Sequence, residues 1–244
     1  MRDYDVEVKK RVEFIQGVME SAGADGIVYG NSGGKDSALV AILCKMACDN
    51  TLGLIMPCGS KQNYESDKTD AEAVAKQFCI NVKIIDLTDM KDGFLRGIGG
   101  LTTLGNTAIA NIAPRLRMTT LYAVAASENR LVAGTGNRSE GYMGYFTKWG
   151  DGACDFNPID DLTVTEIYEF LHHLQAPESI ICKAPSAGLF DGQTDESEMG
   201  VTYKSIDEFL MNGTTNEQNK VVIDRLHRAS EHKRSLPISY GAQI

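Results

Sequence analysis

The sequence has no apolar run near the roughly eighteen residues that a membrane-spanning helix needs. Its N-terminus, MRDYDVEVKKRVEF, is charged where a secretory signal would be apolar. A cytoplasmic protein without membrane contact is therefore expected. Positive charge is scarce: 24 Lys and Arg stand against 33 Asp and Glu, for a formal net charge of −9. Nucleic-acid binding leaves a basic footprint, so no nucleic-acid partner is expected. A small phosphorylated ligand stays open, because a few local cations suffice for it. Zinc-site patterns are missing too. The six cysteines (Cys44, Cys48, Cys58, Cys79, Cys154 and Cys182) form no C-x-x-C pair, and none stands at metal-ligand spacing with the four histidines of the C-terminal third. Reduced thiols are the expectation. No internal repeat or low-complexity tract appears.

What is present is an ordinary globular composition, 43% apolar and 23% charged over 244 residues. That suits one domain spanning 1–244 with a buried core. GIVYGN (26–31), LGLIMP (52–57), VKIIDL (82–87) and RLVAGTG (130–136) read as strands. Between them lie an apolar helix, SALVAILCKMA, and a helix whose Ala71, Val74, Ala75 and Phe78 make one stripe. The alternation predicts an α/β fold with a mostly parallel sheet flanked by helices on both faces. GIGGLTTLGN (97–106) reads as a glycine-rich connection. A long helix is expected over 107–128, with Pro114 kinking it or starting a second segment. It is apolar on nearly all faces and so reads as buried, as helices against a partner subunit often are. Thr163 with Glu166 and Ser205 with Glu208 form capping boxes. The first opens a helix with Ile167, Phe170, Leu171 and Leu174 on one face. A last helix is expected over 216–231. PSAGLFDGQTDESEMG (185–200) is a long polar loop without periodicity, hence functional or mobile.

The chemistry concentrates in GNSGGKDS, residues 30–37. The kinase-type phosphate loop is G-x-x-x-x-G-K-[ST]. Here only three residues separate Gly30 from Gly34, and Lys35 is followed by Asp36 rather than a hydroxyl. The dinucleotide fingerprint G-x-G-x-x-G is absent as well. The stretch still suits an anion. Gly33 and Gly34 permit a sharp turn with N–H groups pointing at a ligand. Ser32 and Ser37 add hydroxyls, and the following helix brings its positive end. Asp36 fits a magnesium ligand. The plain alternative is a strand-to-helix turn capped by an aspartate and a serine.

S-G-G-x-D-S resembles the loop of the N-type ATP pyrophosphatases, which split ATP between its α and β phosphates. Four more stretches follow in order: NIAPRLRM (111–118), GTGNRSEGYMGYFTKWGDGACDFNPI (134–159), KAPSAGL (183–189) and EHKR (231–234). Together they resemble the NAD synthetase family over most of the chain. The chain starts about thirty residues before the loop, which leaves no room for an amidase domain and points to the ammonia-dependent form. The resemblance implies a Rossmann-like three-layer fold of the adenine nucleotide alpha hydrolase type. It implies ATP, deamido-NAD and ammonia as substrates, Mg2+ as cofactor, and a homodimer paired through the 107–128 region.

The resemblance also implies roles for residues. Gly30, Asn31, Ser32, Gly33, Gly34, Lys35, Asp36 and Ser37 would hold the ATP phosphates, with Thr135 and Ser186 as further ATP contacts. Asp36 and Glu140 would be the magnesium ligands. Arg115, Lys148, Asp155, His232 and Lys233 would contact deamido-NAD. Asp36 is expected to be catalytic through its metal. Asp151, in the GDG turn, is our nominee to attract ammonium and take its proton. The 185–200 loop is the candidate lid. One departure stands out: the family carries a lysine near position 164, where this chain has Val164. Lys35 is the candidate replacement. Ser186 keeps the hydroxyl of the family's usual threonine. Two other readings stay open at this point: a different adenylylating enzyme, acting on tRNA or a nucleobase, and a non-catalytic nucleotide sensor.

Overall fold

In the computed structural model, residues 2–59, 66–183 and 195–240 are described. Four parallel strands form one sheet in the order β3–β2–β1–β4: β1 (Gly26–Gly30), β2 (Thr51–Ile55), β3 (Asn81–Ile84) and β4 (Arg130–Ala133). Each strand is shorter than its apolar run, because pairing stops where the chain turns out toward the carboxyl edge. Register is fixed by pairs such as Val28 with Leu52 and Val28 with Val132.

The two faces of β1 show why helices must cover both sides. Ile27 and Tyr29 point into one core, with Ile15 of α1 (Tyr4–Ala22), Leu39 and Ile42 of α2 (Lys35–Ala47), and Phe170 of a later helix. Val28, between them, points into a second core with Leu52, Leu54, Leu87 and Ala125. Alternation along an extended strand dictates this division. The stripe of Ala71, Val74 and Ala75 is buried as expected, on α3 (Ser66–Gln77). Helix α1 was not anticipated. Asp3 caps it through the Val6 N–H, and it buries Arg11 and Ile15. Its charged surface hid that short apolar seam.

Helix α4 (Thr88–Ile98) covers the start of the stretch expected to be a glycine-rich connection. The predicted 107–128 helix is two pieces, α5 (Asn106–Ala110) and α6 (Ile112–Glu128), with Pro114 in the first turn of the second, where proline costs little. Along α6 only Ile112, Ala113, Pro114 and Ala125 are buried. Arg115, Thr119, Ala123 and Ala126 form an exposed strip, which corrects the expectation of burial all round within this chain.

Beyond β4 come α7 (Arg138–Met143), α8 (Val164–His173), α9 (Glu178–Ile181), α10 (Asp195–Met199), α11 (Tyr203–Asn212) and α12 (Glu217–Ala229). A third core joins Met143, Val164, Met199, Tyr203, Ile206 and Ile223. The Thr163/Glu166 capping box is present. The Ser205/Glu208 box is not: α11 starts earlier, on Thr202, whose hydroxyl accepts from the Ser205 N–H. Burial of Tyr203 and Ile206 pulls that first turn into the helix. The 185–200 segment holds helix α10, so its last third is not loop; residues 185–194, Ser186 among them, lie outside the described residues. No helix among the described residues is long and apolar enough to cross a membrane.

Candidate active site

Strand β1 lies inside the sheet, with β2 on one side and β4 on the other. The chain leaves β1 toward β2 and reaches β4 only after a long excursion. The turns after β1 and β4 therefore part at the carboxyl edge and open a crevice, the general position for ligands in such sheets. A cavity of about 910 Å³ occupies it. Gly30, Asn31, Ser32, Gly34, Lys35, Asp36 and Ser37 line one wall, with Thr135 and Glu140 beside them. Asp151 and Lys233 lie on the same surface.

The turn after β1 is held rigidly. Gly33 has φ +70°, and a Cβ there would lie 2.0 Å from the Asp67 carbonyl oxygen, so the position requires glycine. Asn31 is buried and donates from Nδ2 to the Ala71 carbonyl at 3.3 Å. Ser32 Oγ accepts from the Gly34 N–H at 3.3 Å and donates to Ser37 Oγ at 3.0 Å, and Ser37 donates on to the Gly34 carbonyl. The first-turn N–H groups of α2 lack partners within the helix by geometry, which makes an anion seat. The carboxylates of Asp36 and Glu140 meet beside it through Asn137. Asn137 Nδ2 donates to Asp36 Oδ1 at 3.0 Å, while its Oδ1 caps α7 by accepting from the Glu140 N–H. Glu140 Oε2 returns to the Asn137 N–H at 3.4 Å. Lys35 Nζ lies 2.7 Å from Asp36 Oδ2 and 3.8 Å from Glu140 Oε1. Burial, reinforced by the charge of Asp36, pushes the Glu140 carboxyl up to about 8. Burial alone would lower the Lys35 ammonium, but the two carboxylates outweigh it and hold it above its ordinary range.

The cavity lining also includes Asp151, whose Oδ1 accepts from the Thr147 N–H at 3.0 Å. Asp151 is exposed as a residue, while desolvation of its carboxyl by the surrounding protein raises its pKa, against the pull of that N–H. Lys233 donates to the Gly144 and Phe146 carbonyls, each at 2.8 Å. Burial lowers it below the usual lysine range despite the attraction of Asp151.

The other proposed dinucleotide contacts lie off the cavity surface. Arg115 Nη2 donates to the Lys148 carbonyl at 3.3 Å, and Lys148 Nζ donates to the carbonyls of His232 and, at 3.3 Å, Ser235. These three residues thus gather at one place. Asp155 does not join them: it accepts from the Val132 N–H at 2.7 Å and from Tyr122 Oη at 3.2 Å, fastening β4 to α6. Val164 is buried in the third core.

Sequence reasoning missed Asn137 and Lys183. Asn137-x-x-Glu140 has capping-box spacing just after a strand, a signal that was available. Lys183 Nζ bonds the Gly33 carbonyl at 3.2 Å and Asp67 and Asp70 at 2.8 Å each, tying the glycine turn to α3. Nothing in its local sequence predicts those partners.

A family model described as NAD synthase matches residues 7–237. The NH(3)-dependent NAD(+) synthetase of Carboxydothermus hydrogenoformans is 44% identical over 238 residues, covering 96% of this chain and 97% of that protein. Among solved structures, NMN synthetase from Francisella tularensis superposes with a TM-score of 0.92 at 38% identity, covering 98% of this chain and 99% of that one. The NH3-dependent NAD synthetase from Campylobacter jejuni superposes with a TM-score of 0.78 at 31% identity, covering 98% and 99%.

Proposed function

The chain belongs to the NAD synthase family, and from that premise we propose how its cleft performs the reaction. The activity is a ligation that forms a C–N bond: ATP-dependent amidation of deamido-NAD with ammonia to give NAD. In our reading the nicotinate carboxylate attacks the α phosphorus of ATP. The bond to the bridging oxygen breaks, pyrophosphate leaves, and an acyl adenylate forms. Ammonia then adds to the acyl carbon and AMP departs. Adenylylation is needed because a carboxylate is a poor acyl donor. The N–H groups of the Ser32–Ser37 turn would hold the departing pyrophosphate.

One observation carries this reading: carboxylates from the turns after β1 and β4 converge beside an anion-ready helix start on a cavity of about 910 Å³. Magnesium fits that pair. Both donors are hard oxygens, and a cationic group already balances them in the form of Lys35. Among the described residues no cluster of three or more His, Cys, Asp or Glu side chains gathers to hold a metal. Two carboxylates plus substrate phosphates are the usual complement for this ion. When bound, it would neutralise charge on the polyphosphate. Asp151, on the same cavity lining, would receive ammonium and take its proton; a raised pKa suits a group that must accept one. Arg115, Lys148 and His232 would serve the dinucleotide, completed by a second copy of the chain across the exposed strip of α6.

The test is an assay with ATP, magnesium, ammonium and deamido-NAD, reading NAD, AMP and pyrophosphate, with glutamine replacing ammonium as control. Equal amounts of NAD and AMP are expected from ammonium. No NAD from a folded protein would overturn the reading. Because one solved relative is an NMN synthetase, a parallel reaction offers nicotinate mononucleotide; faster turnover of it would move the substrate assignment to the mononucleotide.

A further inference from the structure

The variable position of S-G-G-x-D-S holds Lys35, and its surroundings are unusual for a lysine. It is 6% exposed and begins α2. Its ammonium is 2.7 Å from Asp36 Oδ2, 3.8 Å from Glu140 Oε1 and 5.7 Å from the centre of the Tyr203 ring. Each carboxylate thus offers one oxygen to Asn137 and the other to Lys35. The oxygens that a divalent ion would need are the ones facing the ammonium. Tyr203, under that ammonium, shares its core with Val164. Val164 brings no charge to that core, and among the described residues Lys35 is set against both members of this acidic pair.

We propose that Lys35 is a displaceable internal counter-cation. With the cleft empty of nucleotide it bridges Asp36 and Glu140 and keeps a lone divalent ion out. When metal and ATP arrive together, the metal takes the carboxylates and the Lys35 ammonium moves onto the phosphates at the start of α2. One charge thereby serves two partners in turn, and metal loading becomes conditional on nucleotide. The lysine stem has four rotatable bonds, and the phosphate seat begins at the same helical turn. This inference rests on ATP and magnesium using this cleft.

The test measures two affinities of the nucleotide-free protein, for Mn2+ by electron paramagnetic resonance and for ATP in chelator by calorimetry. Wild type is compared with Lys35→Gln and with Lys35→Gln/Asp36→Asn. Lys35→Gln should bind free Mn2+ about tenfold or more tightly than wild type, because a full positive charge has left the pair. The double variant should lose that gain, which locates the ion. The same Lys35→Gln protein should bind metal-free ATP about tenfold less tightly. A misfolded variant would lose both affinities, so the opposite signs are diagnostic. Unchanged or weaker Mn2+ binding in a folded Lys35→Gln protein overturns the counter-cation. Unchanged ATP binding overturns the transfer. Wild-type NAD synthesis is run alongside: its absence would instead indict the assigned function.

Discussion

At one end of the cleft, Asp36, Glu140, Asn137 and Lys35 are largely closed to solvent and satisfy one another through hydrogen bonds and charge. Outside the cavity lining, Arg115 and His232 are exposed and Lys148 is half-buried; they are joined through main-chain carbonyls. The first set is organised before any ligand arrives, so little reorganisation is left for the moment of reaction. The second leaves Arg115 and His232 exposed and rests the Lys148 ammonium on the His232 and Ser235 carbonyls. Phosphate chemistry demands a fixed geometry, whereas holding a long dinucleotide demands reach. The difference follows from where each set is rooted: the first on turns that leave neighbouring strands, the second on a helix surface and a C-terminal segment.

Four predictions press on that contrast. Asp36→Asn or Glu140→Gln should lower kcat/KM on the order of a thousandfold while circular dichroism stays native. A loss under tenfold would mean that the buried end is scaffold. Gly33→Ala should come next. It forces a left-handed residue and a clash with the Asp67 carbonyl, and should cost about 2–4 kcal/mol in urea unfolding. Gly23→Ala, also left-handed but with open space around it, should cost about 1–2 kcal/mol. Equal costs would show that the turn relaxes.

The third concerns pH. Glu140 must lose its proton to serve as a ligand, and burial with the adjacent Asp36 raises its pKa to about 8. The apparent affinity for magnesium in the presence of ATP should therefore rise with pH across the range in which Glu140 loses its proton and level off above it. Glu140→Gln should flatten the profile, and a flat wild-type profile would contradict the assignment. The smallest effect belongs to the exposed end. Arg115→Ala should raise KM for deamido-NAD about tenfold, leave KM for ATP in place, and change stability by less than about 0.5 kcal/mol.

Much of this was legible in the sequence because local pattern decided it. The strand-to-helix turn at 30–37, the Thr163/Glu166 box and the role of Pro114 all follow from residues within a few positions of each other. Helix α1 escaped because two buried positions in nineteen residues leave only a faint stripe. Lys183, and the structural bonds of Asp155, escaped for another reason. Each acts on partners far along the chain, Gly33 and Asp67 for one, Val132 and Tyr122 for the other. Such pairs are set by topology, which spacing alone does not reveal. Val164 reads in the sequence as a missing charge, and the structure buries it with Tyr203, Ile206 and Met199.

The sheet order has a consequence for how the protein comes to exist. β1 finds β2 soon after synthesis, but its other neighbour is β4, with Gly26 opposite Arg130. Asp36 therefore waits for Asn137 and Glu140 until more than half of the chain has left the ribosome. Until then the edge of β1 is unpaired and its flanking face uncovered. A chain stalled or cut before β4 would hold a glycine turn with no second carboxylate, and an open strand edge prone to pairing with other nascent chains.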